Sequence, residues 1–256
     1  MTPSLPKEFM QRPIAHRALH DKADKRPENS LAAVQAAMDA GYGVEIDLQL
    51  TSDGRAMVFH DYDMTRLTGQ SGPIRQISSD EAAAVTLLHS DDESIPSLQD
   101  VLELIDGKVP LLIEFKDQDG AMGKGIGPLE QDAIRALEGY DGPLALMSFN
   151  PNSVAELARL APHVPRGIVT SSYDPKEWLL PADICDQLRD IPDFDRVGAS
   201  FISHEVHDLD RPRVAELKAQ GVPILCWTVR SVEQEAEARK VADNVTFEGY
   251  LAAHSG

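Results

Sequence analysis

The stretch SLAAVQAAMDAGYGVEIDL, residues 30–48, decides the reading of the fold. Its first half is helical by pattern. Leu31, Val34 and Met38 recur at i, i+3 and i+7 and give one apolar face. Asn29 or Ser30 supplies an N-cap, and Gly41 follows where a left-handed residue can end the helix. The second half, Val44-Glu45-Ile46-Asp47-Leu48, reads as a short strand. Residues i and i+2 of a strand share a face, so Glu45 and Asp47 project together and Ile46 and Leu48 project the other way.

The same alternation extends outward in both directions. Short apolar runs lie at residues 13–15, 44–48, 56–59, 110–115, 144–148, 166–169, 197–203, 223–229 and 244–247. Helical patterns lie at 30–40, 97–105, 128–137, 151–160, 175–188, 211–219 and 231–241. Pro128, Pro151 and Pro175 each stand at a helix start, where a missing N–H costs nothing. Gly139 and Gly221 follow helical ends. Strands alternating with helices predict parallel pairing with crossover helices. About eight such units in 256 residues is the size of a (β/α)8 TIM barrel; a doubly wound sheet is the alternative. The last helix should be very short, because only residues 250–256 remain. One connection, 61–96, is far longer than a usual βα loop. It holds a short helical pattern near 79–87 and reads as a small insert or lid after the second-strand region. The expectation is a single domain over residues 1–256.

Composition narrows the function. The chain has 24 basic and 42 acidic residues, a net charge of −18, which disfavours nucleic acid or anionic lipid as a partner of the whole surface. The hydrophobic fraction of 42% is enough for a sizeable core. Cys185 and Cys226 read as free thiols in a reducing compartment, with Cys226 in the core. No stretch predicts a transmembrane helix or a signal peptide, and a cytoplasmic location is the expectation. Oligomeric state is not legible.

Four constellations can carry chemistry. Ile14-Ala15-His16-Arg17 ends a strand in His and Arg, where barrel enzymes place their chemistry. Glu45 and Asp47 pointing into a barrel repel and are desolvated, which a divalent cation relieves; hard oxygen ligands suit Mg2+ or Ca2+. In Leu111-Leu112-Ile113-Glu114-Phe115-Lys116, Glu114 can complete a three-carboxylate site and Lys116 can neutralise a substrate oxygen; alone, a strand end entering solvent explains them as well. Val58-Phe59-His60-Asp61 supplies a second strand-end histidine, and two histidines can divide general base and general acid. His204-Glu205-Val206-His207 is one residue short of HExxH and reads as a loop. Gly123, Gly125 and Gly127 do not form a nucleotide-binding pattern. Trp227, near a strand end, packs or walls a pocket.

Taken in order, His16-Arg17, Arg26-Pro27-Glu28-Asn29-Ser30, Glu45-Ile46-Asp47, His60-Asp61 with Arg66-Leu67-Thr68-Gly69, Ile113-Glu114-Phe115-Lys116 and Trp227-Thr228-Val229-Arg230 resemble the glycerophosphodiester phosphodiesterase family. The resemblance runs from about residue 12 to the C-terminus. It implies a TIM barrel with an insert, and metal-dependent hydrolysis of glycerophosphodiesters to glycerol 3-phosphate and an alcohol. It makes His16 and His60 the acid–base pair, and Glu45, Asp47 and Glu114 the ligands of one divalent cation. Arg17 and Lys116 then hold phosphate oxygens and Trp227 lines the pocket. Glu28 and Asn29 support the site, Glu28 through the metal or His16. Two departures stand out. Ala18 occupies the usual glycine position, and the segment 244–250 lacks the common Thr-x-x-Pro ending. Glu248 there is expected to face the mouth as a further acid that alters alcohol selectivity.

The charge arithmetic agrees with that chemistry. Three carboxylates and a divalent ion sum to about −1, and Arg17 with Lys116 bring this to about +1, which matches one phosphodiester anion. The nucleophile is water or the substrate's glycerol 2-hydroxyl. A lysophospholipase D-like or cyclic-phosphate-forming barrel enzyme, and a non-catalytic binding barrel, are the competing readings.

Overall fold

The computed structural model describes residues 2–254. Met1, Ser255 and Gly256, at the ends of the expected unit, lie outside the described residues.

Among the described residues nine strands form: β1 (Ile14–Ala15), β2 (Gly43–Leu50), β3 (Ala56–Val58), β4 (Leu111–Phe115), β5 (Leu144–Ser148), β6 (Arg166–Thr170), β7 (Phe201–Glu205), β8 (Ile224–Val229) and β9 (Asn244–Phe247). Eight of them pair in parallel in the order β1-β2-β4-β5-β6-β7-β8-β9, and β9 pairs back onto β1, so the sheet closes. Helices between the strands complete a (β/α)8 TIM barrel.

The quoted stretch behaves as its pattern requires. Ser30 caps the helix Leu31–Asp39 by accepting from the Ala33 N–H, and the chain then enters β2. Outward side chains Val44, Ile46 and Leu48 join the main core between barrel and helices. Inward residues behave differently along the barrel axis. Ile14, Leu112, Ala145, Phe201 and Leu225 fill the floor, which Phe9 of the short helix Glu8–Gln11 closes from below. Above this apolar floor the inward positions of β2 and β4 are polar, while Met147 of β5 and Val169 of β6 stay apolar. The carboxylates therefore sit on a packed base that excludes water from below.

Gly167 in β6 shows how tightly the floor is filled. A Cβ there would clash with the ring of the fully buried Phe201 on the neighbouring strand. Gly167→Ala should therefore lower stability by about 1–3 kcal/mol through overpacking, read as a lower urea midpoint at unchanged m-value.

Four expectations change. The run at 56–59 is not a barrel strand: β3 pairs antiparallel with β2, Leu48 opposite Val58. The helix expected at 175–188 forms only at Ala182–Arg189, since Pro181 occupies its N-cap and Asp174 instead accepts from Glu177 and Trp178 in a turn. The strand expected at 197–203 forms at Phe201–Glu205, so His204 and Glu205 end a strand rather than lie in a loop. No helix follows β9 among the described residues; the tail covers that gap, with Ala252 accepting from the Tyr42 hydroxyl and His254 stacked on the Tyr42 ring.

The segment 61–96 carries its own apolar cluster, with Met64, Leu67, Ile74, Val85, Leu87 and Ile95 packed on Met57 and Phe59. Its short helix Ser79–Ala83 begins with a capping box between Ser78 and Glu81. Cys185 and Cys226 are free and buried. Among the described residues, no helix is long and apolar enough to cross a membrane.

Candidate active site

The polar centre lies at the C-terminal ends of the barrel strands. Asp47 of β2 and Glu114 of β4 are direct neighbours in register, and Glu45 lies one inward step below Asp47. One oxygen from each of the three lies within 4.8 Å of the others, and all three residues are buried. Glu45 Oε1 is buried without a hydrogen-bond partner, while Oε2 accepts from the Arg17 N–H at 2.7 Å. Lys116 Nζ stands 2.6 Å from Glu114 Oε1 and 2.8 Å from Asp47 Oδ1. The second contact is an ion pair without hydrogen-bond alignment, and it leaves Asp47 Oδ1 unpartnered as a hydrogen-bond acceptor.

Burial opposes ionisation of Glu45 and Asp47, and their neighbours then separate the two. Burial, then Asp47 and Glu114, push Glu45 well up. Asp47 is driven down despite its burial, by Lys116, His60 and Arg17. Lys116 is itself raised, because Asp47 and Glu114 outweigh its desolvation. The triad thus carries more negative charge than its surroundings neutralise, with free hard-oxygen acceptors. This donor set fits a divalent cation such as Mg2+ or Ca2+.

The backbone before the site is shaped to serve it. Arg17 and Ala18 adopt left-handed φ values of 53° and 65°. This turn points the Arg17 N–H at Glu45 and the Ala18 N–H at the Glu45 carbonyl. The conformation costs an alanine about 1–2 kcal/mol relative to its ordinary regions, a cost that a glycine would not carry. Asn29 grips Asp47 from the side, its Nδ2 donating to Oδ2 at 2.9 Å.

Both histidines reach this centre by long-range pairing. His16 follows β1 directly and its N–H bonds the Phe247 carbonyl of β9. Barrel closure therefore sets His16 beside Glu248, Nδ1 to Oε2 at 2.6 Å, across 232 residues of sequence. Arg230 pairs the same carboxylate, Nε to Oε1 at 2.8 Å. His60 arrives by the antiparallel return of β3, which brings the chain back to the level of Asp47: the Phe59 N–H bonds the Asp47 carbonyl. Its Nδ1 meets Asp61 Oδ1 at 2.7 Å. Arg66 holds Asp61 through Nε at 2.6 Å and also bonds both oxygens of Glu28, which pairs Arg17 at 2.7 Å.

The carboxylates of Glu248 and Asp61 both titrate below the usual range: burial opposes ionisation, but His16 and His20 lower Glu248, and His60 and Arg66 lower Asp61. An ionised carboxylate only accepts, so each Nδ1 carries the proton and each Nε2 is left for the chamber. Burial holds His16 down to about 4 against the opposing pull of Glu248. Its imidazole is thus neutral near pH 7, with a lone pair on Nε2.

His16, Arg17, Glu45, His60, Glu114, Lys116 and Trp227 line one chamber of 130 Å³. Asp47 adjoins through Lys116. Trp227 is fixed by Nε1 donating to the Ser203 carbonyl and by an edge contact with Phe149 at 5.4 Å between ring centres. Two of the expected supporting contacts differ. Glu28 touches neither the triad nor His16; it binds Arg17 and Arg66, which hold it down to about 2 despite burial. Glu248 is a partner of His16 rather than a free acid at the mouth. The roles of Asp61 and Glu248 as histidine partners, and of Arg66 as the partner of Asp61, were not assigned from the sequence. The adjacency of His60 and Asp61 was the one local signal. His204, outside the site, bonds Thr170 and Asp208.

Fold and site together define a (β/α)8-barrel protein with a buried carboxylate triad, two carboxylate-held histidines and two cationic side chains at the mouth where barrel enzymes work. The model of the glycerophosphoryl diester phosphodiesterase family matches residues 16–244. A glycerophosphodiester phosphodiesterase of Caldanaerobacter subterraneus is 32% identical over 242 residues, covering 91% of each chain. Human glycerophosphodiester phosphodiesterase 1 is 37% identical over 113 residues, 40% of this chain and 33% of that one. Among solved structures, an Oleispira antarctica phosphodiesterase in complex with the product sn-glycerol-3-phosphate superposes with a TM-score of 0.76 at 23% identity, covering 94% of each chain. The chain belongs to the glycerophosphoryl diester phosphodiesterase family. It is a phosphoric diester hydrolase.

Proposed function

We propose that the protein hydrolyses glycerophosphodiesters to sn-glycerol 3-phosphate and an alcohol, with one divalent cation and the His16–His60 pair. Residues 1–256 then act as one catalytic unit, with 61–96 as the insert that supplies the surroundings of His60. The observation that carries the reading is the pairing of two histidines, each held through Nδ1 by an ionised carboxylate, around a chamber that also holds the triad. The substrate class is supported by the family and by the relatives' names.

Glu45, Asp47 and Glu114 would hold the metal. When bound, it polarises phosphoryl oxygens and offsets the charge of the triad. Arg17 and Lys116 face the non-bridging oxygens and favour the extra negative charge of the transition state. His16, neutral and held by Glu248, accepts the proton of the attacking hydroxyl at Nε2. His60, held through Nδ1 by Asp61, gives its Nε2 proton to the departing alkoxide. This division follows position: His60 lines both the inner chamber and the wider one outside it, whereas His16 lines the inner one alone. The nucleophile is water or the glycerol 2-hydroxyl.

The small inner chamber supports a glycerol phosphate without an acyl chain. A panel tests this: metal-loaded protein with glycerophosphocholine, -ethanolamine, -glycerol and -inositol and with a lysophospholipid. Glycerol 3-phosphate released from the first four is the expected result. Lysophosphatidate as the sole product would replace this reading with a lysophospholipase D, and no hydrolysis at all with metal bound would replace it with a binding barrel.

Glu248 offers a narrower test. Glu248→Gln removes the charge that fixes the His16 tautomer and stabilises its protonated form, so kcat should fall on the order of 10²-fold or more. KM should change less than kcat, since Glu248 bonds His16 and Arg230, whereas Arg17 and Lys116 are the groups assigned to the phosphate. Steady-state kinetics separates the two.

A further inference from the structure

A second, wider chamber opens beside the first. The two share His60, Glu114, Lys116 and Phe149, so a molecule bound across them passes His60. The outer chamber measures 720 Å³ against 130 Å³ for the inner. Loops build it: Tyr62 from the insert, Met122 and Asp117 after β4, Phe149 after β5, and Trp178 from the loop after β6. Phe149 and Trp178 brace each other at 5.1 Å between ring centres, and buried Tyr173 backs Trp178 at 4.8 Å. Tyr62 is half-exposed.

The exposed lining is mostly apolar and aromatic, and Asp61, Asp63, Glu114 and Asp117 are the acids set into it. Its two cations are already committed: Lys116 to Asp47 and Glu114, and Arg66 to Asp61 and Glu28. Asp117 instead accepts from the neutral Met122 N–H and Asn150 amide, and Asp63 from Thr65 and the Gly72 N–H. Neither carboxylate has a cationic partner among the described residues. The Tyr62 hydroxyl registers this field, pushed up to about 12 by burial and then by Asp117. Aromatic faces beside unmatched carboxylates favour a weakly hydrated cation. A hydrocarbon chain would gain from the rings but would gain nothing from the carboxylates.

We propose that the outer chamber receives the leaving alcohol and selects alcohols that carry a quaternary ammonium group, such as choline. The assignment as a leaving-group site rests on the hydrolytic reading above; the ligand class rests on the wall itself. Binding and turnover therefore test them separately. Choline is titrated into metal-loaded protein with the fluorescence of Trp178 and Trp227 as the signal, beside its uncharged isostere 3,3-dimethylbutan-1-ol. Choline should bind about ten-fold tighter than the isostere, and Tyr62→Ala and Asp63→Asn should each erode that margin. In turnover, kcat/KM should favour glycerophosphocholine over glycerophosphoglycerol by about ten-fold, and Trp178→Ala should bring the ratio toward one. Selective choline binding without hydrolysis of any diester would support the ligand class and count against the hydrolytic reading alone. Equal binding of choline and the isostere, or a wild-type ratio of one, would overturn the proposal while hydrolysis itself stood.

Discussion

His60→Ala should lose about 10²–10⁴-fold in turnover of an alkyl glycerophosphodiester and recover most of it on a nitrophenyl phosphodiester. A nitrophenolate departs without a proton, so an absent general acid costs little there. His16→Ala should lose a comparable factor on both substrates, because the nucleophile still needs its proton removed. The pattern follows from position: His60 stands between the chambers and His16 within the inner one. Folding should survive in both variants, since each imidazole is partly exposed and neither fills the barrel floor. Equal loss on both substrates in both variants would remove the division of roles. Full activity in both would remove the acid–base assignment itself.

Chelation should abolish turnover and also lower thermal stability. A ligand that binds only the folded state at one hundred times its Kd adds about 2.7 kcal/mol, or roughly 5–10 °C in Tm for a chain of this size. The physical source lies in the triad. Three buried carboxylates within 4.8 Å repel one another, and Lys116 offsets only part of that charge. Glu45→Gln should act on the same balance with opposite signs. It removes a buried charge that burial and its neighbours already push toward protonation, so the metal-free protein should keep or gain stability. Metal affinity should fall, and activity with it. Calorimetric titration with Mg2+ and Ca2+, paired with melting curves at each metal level, reads both effects. An equal Tm with and without metal, at full activity, would dismiss the triad as the metal site.

Much of this was legible because the chemistry sits on strands. A two-residue period places Glu45 with Asp47 and Glu114 with Lys116 whatever the surroundings, and closure into a barrel turns all four inward. What period cannot supply is which strand neighbours which. The Asp47–Glu114 adjacency comes from the β2–β4 register, and the His16–Glu248 bond exists only because β9 closes onto β1. Glu248 was therefore visible as an acid but not as a partner. Prolines misled at 175–188. Pro175 resembles a helix start, yet Pro181 is the true cap, and the residues between form the loop that carries Trp178 to the mouth. Residues 56–59 read as one more parallel strand; short apolar runs do not reveal direction, and the antiparallel return is what delivers His60. The insert's length pointed to the mouth, but the Asp61–Arg66–Glu28–Arg17 chain of ion pairs joins three separate segments and has no sequence period.

The central claim is that this triad and these histidines together cleave a glycerophosphodiester. Phosphorus NMR of glycerophosphocholine tests it most directly, with metal-loaded wild type, the same protein after chelation, and His60→Ala in parallel. The sn-glycerol 3-phosphate resonance should grow in the first sample, be absent from the second, and grow about 10²–10⁴-fold more slowly in the third. An unchanged diester in the first sample, or equal rates in all three, would contradict it.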